Sequence, residues 1–307
     1  MNKLNLTITN IMLILFLLVS HSSCQQPQKR KSKEELYQYI ENSSIYYNLR
    51  QPTQKYFLPY VLEEVSGLSY LSDNQIFMIE DEGGKAYLYD MSLKELVRKI
   101  AFSKPGDFEG IELVRDTVYI TKSNGDLYKF KLDSTNRAEP IKINTAFKSK
   151  NNIEGLGYDP ISNCLLFATK ATGDIEDNDV KGKAIYSYSL KRQKIIEKTE
   201  IPINSDKIMS FLSKHKKIKY DDDQKLDFKP SGIAFHPIEK AYYVISANDR
   251  FILVIKPNGK IKATYPIRSS QLLQPEGITF TPEGDLLISS EGQGEKGYIL
   301  RFEMLQK

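Results

Sequence analysis

The sequence predicts an all-β fold, a β-propeller of four-stranded blades, and two observations predict it. A short signature, in which Glu or Ser precedes Gly and an apolar strand, occurs five times in the chain. Successive copies lie 43, 45, 77 and 45 residues apart, and a period in the forties filled by short strands is typical of propeller blades. The glycines of the five copies are Gly67, Gly110, Gly155, Gly232 and Gly277.

The composition is that of a globular protein large enough to bury a substantial core. The chain has 307 residues, of which 40% are apolar and 27% are charged. Its net charge of +4 is small and the two signs are interspersed, so we expect no nucleic-acid partner. Tyr and Phe, which favour strands, are abundant, with 19 and 14 copies.

Residues 1–23 have the features of a secretory signal peptide. Lys3 precedes a short apolar stretch within residues 11–20, whereas a membrane-spanning helix needs about 20 apolar residues. The stretch LLVSHSSC, which ends at Cys24, resembles the lipobox of bacterial lipoproteins, although His21 stands where Leu is usual. The resemblance implies that Cys24 is lipidated, with palmitate among the acyl groups, and that the protein is held on a membrane of the cell envelope. Ordinary secretion is the alternative.

Residues 24–45 are polar and charged and are interpreted as a tether, with a candidate short helix at 33–42. The basic run KRKSK could lie near anionic lipid headgroups. It also disfavours a surface-export signal of the acidic type, which favours an anchor that faces the periplasm. The second cysteine, Cys164, has no histidine near it in sequence and is interpreted as a buried apolar residue rather than a nucleophile.

Each period divides into four short strands, which are clearest in the third unit. Its strands A to D are predicted at EGLGYD, NCLLFAT, AIYSYSL and KIIEKTEI, between residues 154 and 201. The 77-residue interval that contains this unit is explained by an insertion near 205–222, with a helix capped by Ser205 or Asp206. The apolar stripe of that helix is Ile208, Met209, Phe211 and Leu212. Five blades are predicted, with six as the alternative if the interval hides a degenerate blade.

The predicted propeller domain spans residues 46–307 and closes with a strand from its own N-terminal side. The last unit supplies three strands, EGITF, DLLISS and YILRFEM, before the chain ends. We expect QKYFLPY, at residues 54–60, to provide the fourth strand of that blade.

We call the Glu or Ser that begins each signature its head. The five heads are predicted to lie at one mouth of the central axis, because strand A is the innermost strand of a blade. The following glycine lets crowded backbones come close. The ends of the B strands open on the same face and should join the heads, and we call the combined set the crown. Its heads are Ser66, Glu109, Glu154, Ser231 and Glu276. Its B-strand residues are Glu80, Asp81, Thr121, Lys122, Thr169, Lys170, Asn248, Asp249, Ser290 and Glu291.

Three carboxylates in one funnel would repel each other unless a cation, lysines or backbone N–H groups met them. Oxygen-rich clusters suit Ca²⁺, which takes about six to eight oxygen ligands. The candidate metal ligands are Glu109, Glu154, Glu276, Asn248 and Asp249. In the structural alternative, each Glu or Ser only caps backbone donors at the mouth. An anionic or sugar-like ligand is a third interpretation.

Other chemistries find no support in the residue pattern. His21 lies in the signal, His215 on the predicted helix, and His236 in an A–B turn on the face opposite to the crown. No histidine metal cluster and no Ser-His-Asp arrangement is visible in the sequence. The motif GQGEKG, at 292–297, joins two predicted strands and is interpreted as a hairpin loop rather than a phosphate loop.

The five signatures in their order, ending in LLISSE, resemble the SdiA-regulated (YjiK-like) propeller family of bacterial envelope proteins over about residues 60–305. The resemblance implies the propeller fold and an envelope location, and the family carries no established biochemical activity. We therefore expect a monomeric, membrane-anchored protein that binds a partner protein or a small ligand on the crown, without catalysis.

The chain is also similar, more loosely, to gluconolactonase and paraoxonase-like propellers. Those enzymes bind Ca²⁺ or a similar metal with axial Glu, Asn and Asp residues and hydrolyse lactones or esters. Glu109, Glu154 or Glu276 would match the glutamate, and Asn248 and Asp249 the other ligands. The chain departs from this pattern because further channel asparagines are not evident. A calcium-dependent lactonase or esterase is thus the alternative function.

Overall fold

The computed structural model describes residues 46–133, 135–175, 180–216 and 226–305. Over these residues the chain forms five antiparallel sheets, each of them one blade, which confirms the predicted five-bladed all-β propeller. The predicted signal peptide, Cys24 and the candidate helix at 33–42 lie outside the described residues.

The chain begins its described part with one strand that belongs to the last blade, and blades 1 and 2 follow. The first strand is β1 (Gln54–Phe57), and a 3-10 helix at Tyr60–Leu62 comes after it. Blade 1 consists of β2 (Val65–Ser72), β3 (Gln75–Glu80), β4 (Lys85–Asp90) and β5 (Glu95–Ala101). Blade 2 consists of β6 (Phe108–Val114), β7 (Thr117–Lys122), β8 (Leu127–Lys131) and β9 (Ile141–Ile143).

Blades 3, 4 and 5 complete the ring. Blade 3 consists of β10 (Ile153–Asp159), β11 (Cys164–Thr169), β12 (Lys183–Ser189), β13 (Lys194–Ile195) and β14 (Ile201–Ile203). Blade 4 consists of β15 (Gly232–His236), β16 (Ala241–Ser246), β17 (Phe251–Ile255) and β18 (Ile261–Pro266). Blade 5 consists of β19 (Gln274–Phe280), β20 (Leu286–Glu291), β21 (Tyr298–Phe302) and β1.

The hydrophobic core is divided among the five spaces between neighbouring blades. Each of five buried clusters draws its side chains from two adjacent blades, and one of them joins blade 5 to blade 1. Because both faces of a blade are covered, its middle strands read as continuous apolar runs rather than as alternating ones. All six residues of β11 are buried, including the free cysteine Cys164, as the sequence predicted.

The ring closes by pairing the two ends of the propeller domain. Strand β1 pairs with β21 in antiparallel register, from Gln54 opposite Arg301 to Phe57 opposite Tyr298. This confirms the prediction that the segment QKYFLPY supplies the fourth strand of the last blade. Strand β1, from the N-terminal side of the propeller domain, is therefore the outermost strand of blade 5 and covers the edge of β21.

The long interval between signatures contains a helix, as predicted, and the described residues add no sixth blade there. Helix α1 (Ser205–Lys216) follows β14, and Ile208 and Leu212 pack into the core between blades 3 and 4. The predicted cap was wrong by one residue, because Asn204 Oδ1 accepts the hydrogen bond from Lys207 N at 3.0 Å. The rest of the predicted insertion, residues 217–225, lies outside the described residues.

The outer strand of blade 3 also differs from the prediction. Instead of one strand over KIIEKTEI, the two short strands β13 and β14 pair separately with β12. Residues 196–200 leave the sheet between them, and Lys198 adopts a left-handed backbone with φ of 59°. Glu197, Lys198 and Thr199 offer no apolar side chain to the neighbouring blade, so nothing in the core holds them in the sheet.

The A–B and C–D turns lie on one face of the propeller, opposite to the ends where the A strands begin, and we call it the turn face. Tyr47 marks where the described chain joins this face. Its hydroxyl lies 2.6 Å from Nε2 of His236, at the end of β15, and donates to the carbonyl of Gly284. His236 is therefore on the face that the sequence predicted. No helix in the described part of the chain is long and apolar enough to cross a membrane.

Candidate functional site

The head of each signature lies where the innermost strand departs from regular pairing. In four blades a β-bulge falls at the head, so that Ser66, Glu109, Glu154 or Glu276 has no partner opposite it on strand B. In blade 4, Ser231 directly precedes the first residue of β15. Bulges at the rim of a sheet re-aim side chains. The repeated bulge thus gives four of the five heads a common local setting at one end of the axis, and Ser231 reaches the same end by preceding its strand.

Three carboxyl groups meet around a very small axial opening. Glu109, Glu154 and Glu276 line it together with Ser66 and with four of the five glycines that follow the heads, Gly67, Gly110, Gly232 and Gly277. Aliphatic residues of the innermost strands complete the lining, namely Leu68, Ile111, Leu156, Ile233 and Ile278. The cavity volume is about 10 Å³, which is room for roughly one water molecule. Ser231 does not line it, although Gly232 does.

The glycine after each head is required by close approach of the next blade. A Cβ atom on Gly110 would lie 2.5 Å from Cβ of Leu156 in blade 3. A Cβ on Gly232 would collide with the carbonyl oxygen of Glu276 in blade 5. Neither contact can be relieved by rotating a flexible side chain, which confirms the expected role of glycine in crowding the strands around the axis.

The two serine heads bind backbone and do not present free groups to the opening. Ser66 Oγ donates to the carbonyl of Phe108 at 2.9 Å, and Ser231 Oγ donates to the carbonyl of Pro275 at 2.7 Å. Each bond runs to the innermost strand of the next blade. In the structural interpretation of the sequence, the heads were expected to accept hydrogen bonds from backbone N–H groups. The two serines instead donate to backbone carbonyl groups.

Glu154 is the one head that forms an ion pair within the described crown. Its Oε2 lies 2.9 Å from Lys170 Nζ, and its Oε1 accepts a hydrogen bond from Asn152 Nδ2 at 2.8 Å. Burial raises the pKa of Glu154, and the Lys170 ammonium opposes that shift. Burial alone would lower the pKa of Lys170, but the carboxylates of Glu154, Glu276 and Glu109 outweigh it and the net shift is upward.

Burial favours the protonated forms of the other two glutamates. Burial, the charge of Glu154 and contact with Asp107 raise the pKa of Glu109 to about 10. Burial, followed by the charges of Glu154 and Glu291, raises the pKa of Glu276 well above its ordinary value. Repulsion among the three carboxyl groups is therefore reduced, because burial shifts two of them toward the neutral form and the third is paired with a lysine.

The B-strand ends of blades 1 and 5 extend the acidic region. Burial and the charge of Glu64 raise the pKa of Asp81 to about 6, and one of its carboxyl oxygens is buried without a hydrogen-bond partner among the described residues. Burial and the charge of Asp81 raise the pKa of Glu291 to about 7. Glu80 instead turns back on its own loop, where it accepts hydrogen bonds from the backbone N–H of Gly83 at 2.8 and 2.9 Å.

The remaining crown residues have local structural contacts. Lys122 Nζ lies 5.4 Å from the centre of the Phe108 ring. Asn248 is exposed, and the buried carboxylate of Asp249 lies 3.3 Å from the Ser246 hydroxyl of its own turn, so neither lines the opening. The hydroxyls of Thr121, Thr169 and Ser290 form hydrogen bonds with nearby backbone groups.

The sequence interpretation missed the polar residues two positions before the heads. Asp107 contacts Glu109, Asn152 donates to Glu154, and Gln274 contacts Glu276. The same position holds Glu64 in blade 1, whose charge acts on Asp81 and Glu291. A polar residue recurs at this offset in every signature, so the repeat itself contained the signal.

The donor set does not favour the calcium site considered above. Within the described residues, no group of three or more His, Cys, Asp or Glu side chains is arranged to hold a metal ion. Glu154, which lines the opening, is paired with Lys170, and the candidate ligands Asn248 and Asp249 do not line the opening.

A comparison with known protein families shows to which family this propeller belongs. The profile of the SdiA-regulated family matches residues 42–294, which is most of the chain. The chain belongs to the SdiA-regulated family. The family assignment agrees with the order of Ser-Gly and Glu-Gly signatures, which the sequence alone linked to it. No curated protein matches the sequence.

Several solved structures are similar to this SdiA-regulated propeller at low sequence identity. A glutaminyl cyclase from Myxococcus xanthus is 12% identical, with a TM-score of 0.53, over 83% of this chain and 97% of its own. A luciferin-regenerating enzyme is 11% identical, with a TM-score of 0.47, over 82% and 92% of the two chains. A streptogramin B lyase is 16% identical, with a TM-score of 0.44, over 78% and 65%. The similarity to the glutaminyl cyclase concerns the fold alone.

Proposed function

We propose that this SdiA-regulated propeller is a binding protein of the cell envelope whose crown receives an ammonium group of its ligand. The observation that carries the proposal is the meeting of Glu109, Glu154 and Glu276 around a water-sized opening with a single paired lysine. An ammonium group is close to water in size and offers three N–H donors to carboxyl oxygens. A lysine side chain, a chain N-terminus or a polyamine could present it.

Binding of the cation would be coupled to release of protons. Glu109 and Glu276 are neutral before binding, and a bound ammonium group would stabilise their ionised forms. The affinity should therefore rise as the pH rises toward the pKa of Glu109, which lies at about 10. Asp81 and Glu291 add negative charge near the opening as they ionise around pH 6 to 7, and they would attract the cation to the mouth.

The cellular setting of this proposal comes from the sequence. Cys24, with its lipobox-like surroundings, would carry the lipid, and the basic tether would place the propeller at a membrane that faces the periplasm. The propeller would act as a monomer and bind a partner protein or a small ligand without turnover. A calcium-dependent hydrolase is less well supported, because the candidate ligands Asn248 and Asp249 do not line the opening and the described residues contain no group of three His, Cys, Asp or Glu side chains arranged to hold a metal ion.

Isothermal titration calorimetry of the full chain in detergent tests this function. Spermidine and tetralysine are the amine probes, calcium chloride is the metal probe, and each titration is repeated in two buffers of different ionisation enthalpy. We expect amine binding with a heat that depends on the buffer, because protons leave the protein. We also expect the double variant Glu109→Gln and Glu276→Gln to abolish it, while Glu295→Gln, an exposed acid in a crown-side loop, binds normally.

Two outcomes of the same titrations would contradict the proposal. Amine binding with a heat independent of the buffer would show that the protonated glutamates are not the receptor. Binding of calcium, lost in the Glu109 and Glu276 double variant, with no response to amines, would establish the metal-dependent alternative and call for a lactone and ester screen.

A further inference from the structure

Large aliphatic side chains project into solvent at several turns of the turn face. Ile161, in the A–B turn of blade 3, is 67% exposed, and Ile238, in the corresponding turn of blade 4, is 51% exposed. Leu305, just after the last strand of blade 5, is 46% exposed, and Leu93, in the C–D turn of blade 1, is 62% exposed. Exposed apolar side chains also lie on the crown side, at Phe57, Tyr60, Val61 and Leu273. The turns of blades 3 and 4 are therefore distinguished by apolar tips together with the basic residues around them, and not by apolar exposure alone.

Basic side chains accompany the two isoleucines. The C–D turns of blades 3 and 4 carry four exposed basic residues, none with an ion-pair partner among the described residues, namely Lys191, Arg192, Lys256 and Lys260. The acidic groups of the two A–B turns are neutralised or buried. Glu239 pairs with Lys262, and the buried Asp159 accepts a hydrogen bond from Tyr242 at 2.9 Å. Exposed acids on this face lie outside the A–B and C–D turns of blades 3 and 4, namely at Asp73, Glu95, Asp116, Asp133, Glu283 and Glu303.

The N-terminal chain joins the propeller on this same face. Tyr47 contacts His236 and Gly284, which belong to the A–B turns of blades 4 and 5. The backbone of Leu305 donates to the carbonyl of Tyr46 at 2.8 Å. The segment that precedes Tyr46, with Cys24 and the basic run KRKSK, is therefore attached beside Ile238 rather than beside the crown.

We propose that the turn face of blades 3 and 4 docks on an anionic lipid bilayer. Ile161 and Ile238 would enter the interfacial region, and Lys191, Arg192, Lys256 and Lys260 would contact anionic headgroups. Short apolar tips surrounded by lysine and arginine are the chemistry that such a surface attracts. Docking in this orientation leaves the crown pointing away from the membrane, where a ligand can reach it. The proposal concerns orientation and does not depend on which ligand the crown binds.

Amide hydrogen exchange of the full chain on vesicles tests the docking directly. The chain is incorporated into vesicles that contain phosphatidylglycerol and, separately, into vesicles of phosphatidylcholine alone. We expect slower exchange at residues 160–163, 190–193, 237–240 and 256–260 on the anionic vesicles, and unchanged exchange at the crown-side loops 81–84 and 247–250. Equal exchange on the two vesicles would overturn the proposal, as would protection of the crown loops, or protection of the turns in detergent without lipid, which would indicate a protein contact.

Matched variants separate the apolar and the charged contributions. Replacing both Ile161 and Ile238 by Ser should remove the protection, while replacing Val97 and Ile141, exposed aliphatic residues on outer strands, should leave it unchanged. Changing the four basic residues to Gln should weaken the anionic preference by roughly tenfold or more, and added salt should do the same to the native chain. Protection that survives the Ile161 and Ile238 replacements would contradict the assignment.

Discussion

The serine-headed blades 1 and 4 and the glutamate-headed blades 2, 3 and 5 occupy equivalent places in the ring and use them differently. Each serine hydroxyl donates a hydrogen bond to a backbone carbonyl of the next blade. Each glutamate reaches the axial opening, where two carboxyl groups hold protons and one pairs with Lys170.

The comparison distinguishes the side chains that connect neighbouring blades from those that place chemical groups at the axial opening. A hydroxyl is short, so at a bulge beside the next strand it can complete a hydrogen bond without charge. A glutamate at the same bulge is longer and carries its acid group to the axis, where burial makes ionisation costly. The serine blades thus have a structural role at the crown, and the glutamate blades carry its titratable groups.

The glycine after the head should be essential in both kinds of blade, and its replacement should have the largest effect. Gly232→Ala forces a Cβ against the carbonyl oxygen of Glu276, and Gly110→Ala forces one against Leu156. We expect each change to lower the free energy of unfolding by about 2–4 kcal/mol, measured by urea denaturation. Gly106→Ala is the control, because its nearest neighbour is the flexible end of Lys122. A loss no greater than in the control would mean that the blades can move apart.

The ion pair in blade 3 should matter next. Lys170→Met leaves Glu154, whose side chain is 6% exposed, without its counter-charge, and we expect a loss of about 1–3 kcal/mol at neutral pH. The loss is limited because Lys170 itself is partly exposed and Glu154 can take up a proton. The double variant with Glu154→Gln should recover most of the stability in a urea-denaturation cycle. Independent, additive effects would show that the two residues do not act as a pair.

The serine hydroxyls should contribute a smaller, pH-independent amount. Ser231→Ala leaves the buried carbonyl of Pro275 without its donor, and Ser66→Ala does the same to Phe108, so we expect about 1 kcal/mol for each. Thermal melts at pH 5 and pH 8 should give the same loss. A loss that changes with pH would mean that the serines are coupled to the glutamates after all.

Removing one buried acid should have the smallest effect and the opposite sign at high pH. In the native chain the folded pKa of Glu109, about 10, exceeds its unfolded value, so its stability contribution is complete below pH 4.5 and is lost as the pH rises toward 10. Glu109→Gln removes this loss, and its melting temperature should rise progressively relative to the native chain from pH 5 to pH 9. Parallel melting temperatures across that range would contradict the raised pKa.

The repeat in the sequence was sufficient to predict the fold, because each of its glycines lies on an innermost strand where the close approach of other strands leaves no room for a side chain. It predicted the five blades and the closing strand at residues 54–60. It did not predict the bulges at the heads, since bulges arise from pairing between strands A and B, nor the break after Ile195, where a charged stretch has no core to cover.

The crown was harder to predict than the fold, because the partner of each polar group depends on the neighbouring blade. The signature looked alike for Ser66 and Glu109, yet one side chain bonds to backbone and the other holds a proton. The residue types at positions 248 and 249 suggested calcium ligands. In the structure, however, Asn248 and Asp249 lie apart from the opening.

Infrared difference spectroscopy tests most directly whether the glutamate ring holds protons at neutral pH. The spectrum of the native chain at pH 7 is compared with that of the Glu109→Gln and Glu276→Gln double variant. We predict a protonated-carboxyl carbonyl band in the native chain that is missing in the variant and that weakens when spermidine is added. Carboxylate bands alone at pH 7, with no band lost in the variant, would contradict the account.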